Sequence, residues 1–172
     1  MKLKKGDYIV HTYHGVGKIK EVDVKKLNGK KRSFFRVQTD TMTFWLPLKR
    51  ISPKKIRKIS APSTINNALS TIRKKPRPLG KNYKARRKNI QEKRKKISLK
   101  TQAKLIRDLN GQLEQNKNVF ETSVFEKVKK QFIDEWQVSA EINRGQAEQK
   151  LNKALSKSIA EMEQNQNDGE KI

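Results

Sequence analysis

An α+β fold in two parts is predicted for the 172-residue chain: a small antiparallel β-barrel, then an all-α domain of about five helices. Three observations predict it. Asn28-Gly29 stands between two runs of alternating apolar residues, the strongest short-range hairpin signal in the chain. From Ser60 onward, apolar residues recur at helical spacing instead of alternating. Between the two patterns lies a basic stretch, residues 49–62, with one internal proline at Pro53. The expected boundaries are 1–58 for the barrel, 59–164 for the helical domain and 165–172 for a disordered tail.

The first half reads strand by strand. Tyr8-Ile9-Val10 follows the turn residues Gly6-Asp7, and Gly15 and Gly17 permit tight bends or bulges before Ile19 and Val22 resume the pattern. Val22, Val24 and Leu27 precede Asn28-Gly29, and Phe34, Phe35 and Val37 follow it. A reversal near Thr39-Asp40-Thr41 leads to a strand in which Met42, Phe44 and Leu46 share one face, while Thr43 and Trp45 take the other. Several short antiparallel strands in about fifty residues point to a barrel of SH3-like or Tudor-like type. Alternation also turns Phe34, Arg36 and Trp45 away from the interior, as an aromatic and basic patch suited to protein binding.

In the second half, Ser60 to Ser63 offers N-caps and an N1 proline for a helix through Ile65, Leu69 and Ile72, which Pro76 and Pro78 end. Leu79-Gly80 is a short apolar tip in basic surroundings. Tyr83, Ile90 and Ile97 form the stripe of a second helix, otherwise covered by Lys81, Lys84, Arg86, Arg87, Lys88 and the cations of 93–96. Ser98 can cap a third helix through Leu99, Ala103, Ile106, Leu109 and Leu113. Ser123-Val124-Phe125-Glu126 fits a capping box opening a fourth, with Phe125, Val128, Phe132 and Trp136 on one face. Ala147, Leu151, Leu155, Ile159 and Met162 define the last, which reads as packing within the domain and not as a coiled coil.

Charge narrows the function. The formal net charge is +25, and the segment 49–100 carries 20 Lys/Arg against 1 Asp/Glu, while 101–172 carries 11 against 12. A lysine bias of the whole chain would not concentrate in one segment, so the partner expected is a polyanion, with nucleic acid leading. There is no cysteine, which excludes disulfides, zinc-thiolate sites and thiol nucleophiles together. No run approaches the roughly 18 apolar residues of a membrane span, and a cytoplasmic, nucleoid-associated protein is expected.

The stretch Tyr8 to Ile19, with His11 and His14, invites a metal or catalytic reading. On a strand and turn, a spacing of three does not bring both rings to one ion, as i, i+4 on a helix would. No carboxylate cluster lies nearby, so the histidines are read as shaping the turn. No P-loop, paired acidic site or Gly-rich phosphate cradle is present, and neither an enzyme nor a cofactor is expected.

Gly6-Asp7-Tyr8-Ile9-Val10-His11, then His14-Gly15-Val16-Gly17, the Asn-Gly hairpin and the strands ending in Leu46-Pro47 resemble the N-terminal domain of the CarD/CdnL family of bacterial transcription regulators. The same fold serves as the polymerase-interaction domain of transcription-repair coupling factors. Tyr83-Lys84-Ala85, Ile106-Arg107-Asp108-Leu109 and Ser123 to Lys127 fall in the order of the family's helical domain. The resemblance implies that the barrel docks on the β subunit of RNA polymerase, with Lys25 and Trp45 at or near the interface, where family members often carry arginine. It also implies that the helical domain meets promoter DNA at the upstream edge of the transcription bubble. Leu79 falls where the family usually places a tryptophan wedge; leucine is a recognised apolar wedge.

Taken together, the sequence predicts a monomeric transcription regulator that modulates open-complex stability. Its expected DNA contacts are Leu79, Lys81, Tyr83, Lys84, Arg86, Arg87 and Lys88; its expected polymerase contacts are Lys25, Phe34, Arg36 and Trp45. Binding to DNA should be led by the backbone and weakly specific, since no base-reading motif is evident. A nucleoid-type protein acting without polymerase is the alternative, and an RNA-binding protein comes after it.

Overall fold

The computed structural model describes the backbone of residues 1–169 and the side chains of residues 1–164. The tail expected at 165–172 falls on side chains, and at 170–172 on backbone, outside the described residues. The chain divides into two units, 1–59 and 60–172. As the sequence predicts, an antiparallel β domain is followed by five helices. No described helix is long and apolar enough to cross a membrane.

The first unit is a five-stranded sheet in the order β4-β3-β2-β1-β5, formed by β1 (Tyr8–His11), β2 (Gly15–Leu27), β3 (Lys30–Gln38), β4 (Thr43–Pro47) and β5 (Ile56–Lys58). Its alternation follows the sequence pattern. Ile9, Ile19, Phe35, Val37, Leu46 and Ile56, drawn from all five strands, form one buried cluster. Asn28 and Gly29 have φ of 50° and 74°, the paired positive values that a two-residue hairpin turn of the right twist needs. A register shift between Ile19 and Glu21 lets Ile19 face the core while Glu21, Asp23 and Lys25 line the opposite face.

The second unit holds α1 (Pro62–Ile72), α2 (Tyr83–Arg94), α3 (Leu99–Gln115), α4 (Val119–Ala140) and α5 (Arg144–Gly169). Its core runs through Ile65, Leu69, Ile72, Ile106, Leu109, Val128, Phe132, Trp136 and Leu151. Phe132 and Trp136 meet edge to face at 5.8 Å. α3 is the central element, packed against α1, α4, α5 and, more lightly, α2. Pro76 passes so close to it that a Cβ at Gly111 would lie 2.4 Å from the proline ring, so this position on α3 needs glycine.

Three helix starts or stripes differ from the sequence expectation. α4 begins at Val119, because Asn118 Oδ1 accepts from the Glu121 amide at 3.1 Å. The Ser123 capping box therefore lies inside a helix already started one turn earlier. α1 is capped by no side chain; Ala61 is its N-cap residue and Pro62 opens its first turn. α2 stops at Arg94, which leaves Ile97 outside the helix and Tyr83 41 % exposed, so Ile90 is the one buried apolar side chain of α2.

Candidate functional site

The β2-β3-β4 face gathers most of the polymerase contacts expected from sequence. Arg36 stands opposite Trp45 in the ladder, and Lys25 comes from β2. The Lys25 ammonium lies 3.3 Å from the centroid of the Trp45 ring, and the indole Nε1–H donates to Asp23 Oδ2 at 2.7 Å. Arg36 donates to the Glu21 carboxylate and sits 3.8 Å from that of Asp23. A ring 42 % exposed, fixed by a hydrogen bond at its edge and a cation over its face, is pre-ordered, because little of its rotamer freedom remains. Sequence reasoning missed Glu21 and Asp23; alternation along β2 from Lys25 would have placed both on this face.

Phe34 requires a correction. Its parity is that of Arg36, but it stands between Asp23 and Pro47 in the ladder and is only 8 % exposed. Its ring is not available as a surface contact.

The α2 surface divides the expected DNA contacts into two groups. Lys81, Lys84, Arg87 and Lys88 are exposed, and among the described residues none of them forms an ion pair within 4 Å, although the Lys88 charge acts on Glu92 one turn on. Arg87 is held between the Tyr83 hydroxyl, to which it donates at 3.0 Å, and the Phe120 ring, 4.4 Å from its guanidinium. Arg86 belongs to the interior. Its Nε donates to Glu121 Oε1 at 2.8 Å, with side-chain exposures of 14 % and 0 %. Two turns further, Lys93 reaches Asp108 at 3.4 Å. Because α2 buries only Ile90 among its apolar residues, these two ion pairs replace the hydrophobic stripe that would ordinarily dock such a helix.

Leu79 is corrected as well. It is 1 % exposed and part of the helical core. Its carbonyl accepts from Asn89 Nδ2 at 2.7 Å, and the amide of nearby Arg77 donates to Asp108 Oδ1 at 2.9 Å. The apolar tip is thus folded inward, and it presents no wedge.

The histidines cap a turn. His11 Nδ1 accepts from the amides of Tyr13 and His14 at 3.1 and 3.3 Å, and its ring stacks on that of His14 at 4.5 Å. No group of three or more metal-type ligands occurs among the described residues. Burial first, then the His14 and Lys55 charges, lowers the His11 pKa from 6.5 to about 4. The folded state therefore binds fewer protons than the unfolded one, and stability present above pH 6.5 is lost as pH falls toward 4. Thermal melts of the full chain should show the β domain weakening in that window. His11→Asn, which keeps an acceptor and removes the titration, should flatten the dependence; an unchanged slope would contradict it.

The first unit is thus a small five-stranded β domain with one charged aromatic face, and the second is a domain of five helices. Residues 3–60 match the family model described as the CarD-like/TRCF RID domain. The N-terminal unit is accordingly a CarD-like RNA polymerase-interacting domain. No curated protein matches the chain.

Proposed function

We propose that the protein is a non-catalytic, monomeric transcription regulator of the cytoplasm, working at the nucleoid. It docks on the β subunit of RNA polymerase through the β2-β3-β4 face and contacts promoter DNA through the exposed side of α2, changing the stability of the open complex. The observation that carries this reading is the family match over residues 3–60. Trp45, with Lys25 and Arg36 beside it, is the contact we assign to polymerase. Lys81, Lys84, Arg87 and Lys88 are assigned to phosphates, with Tyr83 as their aromatic neighbour.

With Leu79 in the core, the effect on DNA does not include insertion of an apolar wedge from that position. Contact is electrostatic, weakly specific and steeply dependent on salt. Capture of the polymerase holoenzyme from the same organism tests the docking half. Trp45→Ala should weaken it at least tenfold, the scale of an aromatic hot spot of about 2 kcal/mol, with the melting temperature retained. Unchanged capture would remove Trp45 from the interface.

A further inference from the structure

The β domain carries a second cationic feature, which extends beyond the Trp45 face and shares Lys25 with it. β1 pairs with β2 only over Gly15 to Lys18, and β4 pairs with β3 only over Phe34 to Gln38. Residues 24–27 and 30–33 therefore pair with each other alone, a two-stranded ribbon of about 13 Å at roughly 3.3 Å per residue. The turn at Asn28-Gly29 closes it tightly.

Five of the eight residues 25–32 are Lys or Arg, and no acidic residue occurs between Asp23 and Asp40. In the ladder Lys25 stands opposite Arg32 and Lys26 opposite Lys31. Like charges directly opposite are destabilising, and a two-stranded ribbon is marginal to begin with. Lys26, Lys30, Lys31 and Arg32 are exposed, and none has an ion-pair partner among the described residues. Such an arrangement works against the fold unless an anion lies along it.

We propose that this β2-β3 ribbon is a second nucleic-acid-binding element, which enters a groove of duplex DNA between two phosphate backbones. Cations occupy both faces: Lys26 and Lys31 share one with Val22 and Val24, while Lys25 and Arg32 share the other with Asp23. A flat acidic protein surface would meet one face only, whereas a groove has a phosphate wall on each side. The major groove of B-DNA, about 12 Å wide, admits a two-stranded ribbon; that of duplex RNA is too narrow to enter. Unpaired strands are bound by exposed aromatics, and residues 21–33 contain none. This element does not depend on the assignment of DNA to α2.

The test uses the full chain and a labelled duplex DNA, titrated over a range of salt. Four forms are compared: native; a ribbon variant with Lys26→Ala, Lys30→Ala, Lys31→Ala and Arg32→Ala; an α2 variant with Lys81→Ala, Lys84→Ala, Arg87→Ala and Lys88→Ala; and the two combined. The ribbon variant should lose at least tenfold in affinity at low salt, with a log–log salt slope shallower by about 3. The α2 variant should keep residual binding that the combined variant lacks. A charge-retaining ribbon, with Lys26→Arg, Lys30→Arg and Lys31→Arg, should bind as the native chain does, which separates charge from folding. An unchanged slope in the ribbon variant would overturn the proposal even if the α2 variant lost all binding. So would tighter binding of duplex or single-stranded RNA than of duplex DNA, or a ribbon variant that loses polymerase capture alone.

Discussion

Arg86→Ala should destabilise the helical domain by about 3–5 kcal/mol, the range expected when one partner of a buried ion pair is removed and the other charge is left behind. Glu121 is wholly buried, its Oε1 takes the Arg86 bond, and its Oε2 has no hydrogen-bond partner. Once the guanidinium is gone, the N-terminus of α4 offsets only part of the cost of keeping that carboxylate out of water. The neighbouring exposed cations behave differently: Lys84→Ala and Lys88→Ala should each change stability by less than about 0.5 kcal/mol. Urea unfolding followed by circular dichroism distinguishes them. Replacing the pair by apolar residues of similar volume, Arg86→Met with Glu121→Leu, should recover most of the loss. If Arg86→Ala weakened DNA binding and left the unfolding midpoint in place, Arg86 would be a phosphate contact after all.

Asp108→Ala should cost a similar amount, about 3–5 kcal/mol, since it too leaves a buried charge without its partner. Asp108 is 3 % exposed and accepts from Arg107 Nε at 2.8 Å, from the Arg77 amide at 2.9 Å and, more loosely, from Lys93. Alanine would strand the Arg107 guanidinium in the core and free the segment that joins α1 to α2. That segment carries Arg73, Lys74, Lys75, Arg77 and Lys81. Limited trypsin digestion should therefore cut it faster in Asp108→Ala, at Arg73, Lys74 and Lys81, which are not followed by proline. Asp108→Asn keeps one acceptor oxygen for the Arg77 amide and should fall between the two in both assays. Digestion and unfolding indistinguishable from the native chain would show that the segment is held elsewhere.

These two ion pairs also mark where sequence reasoning stopped. The hairpin was legible because Asn28-Gly29 and the alternation on either side are local, and the apolar stripes of α3, α4 and α5 were legible for the same reason. On α2 the count of cations pointed to a solvated, DNA-facing helix, but it could not tell Arg86 from Arg87. That difference is set by Glu121, thirty-five positions away. Leu79 looked like an exposed tip because its neighbours are charged, yet Asp108 and Asn89 tie the segment down and turn the side chain inward. The start of α4 was misplaced because Asn118-Val119-Phe120-Glu121 and Ser123-Val124-Phe125-Glu126 carry the same kind of cap signal, and the earlier one wins. On the β face, Lys25, Arg36 and Trp45 were found by parity or by resemblance, while Phe34 obeys the parity and is nonetheless covered.

The helical domain turns some cations, Arg86 and Lys93, inward to hold α2 and leaves others, Lys84, Arg87 and Lys88, exposed; in the function proposed above, the exposed ones meet phosphate. In the β domain, Asp23 and Lys25 fix the Trp45 ring, which the proposed function assigns to the polymerase contact.

The central claim joins the two surfaces in one act, and the lifetime of polymerase–promoter open complexes challenged with competitor tests it most directly. Holoenzyme and promoter should come from the protein's own organism. A change in lifetime with the native chain, lost both in Trp45→Ala and in the Lys81, Lys84, Arg87 and Lys88 alanine variant, is the predicted result. A lifetime unaffected by the native chain, with duplex binding intact, would contradict the account and leave a DNA-binding protein that acts without polymerase.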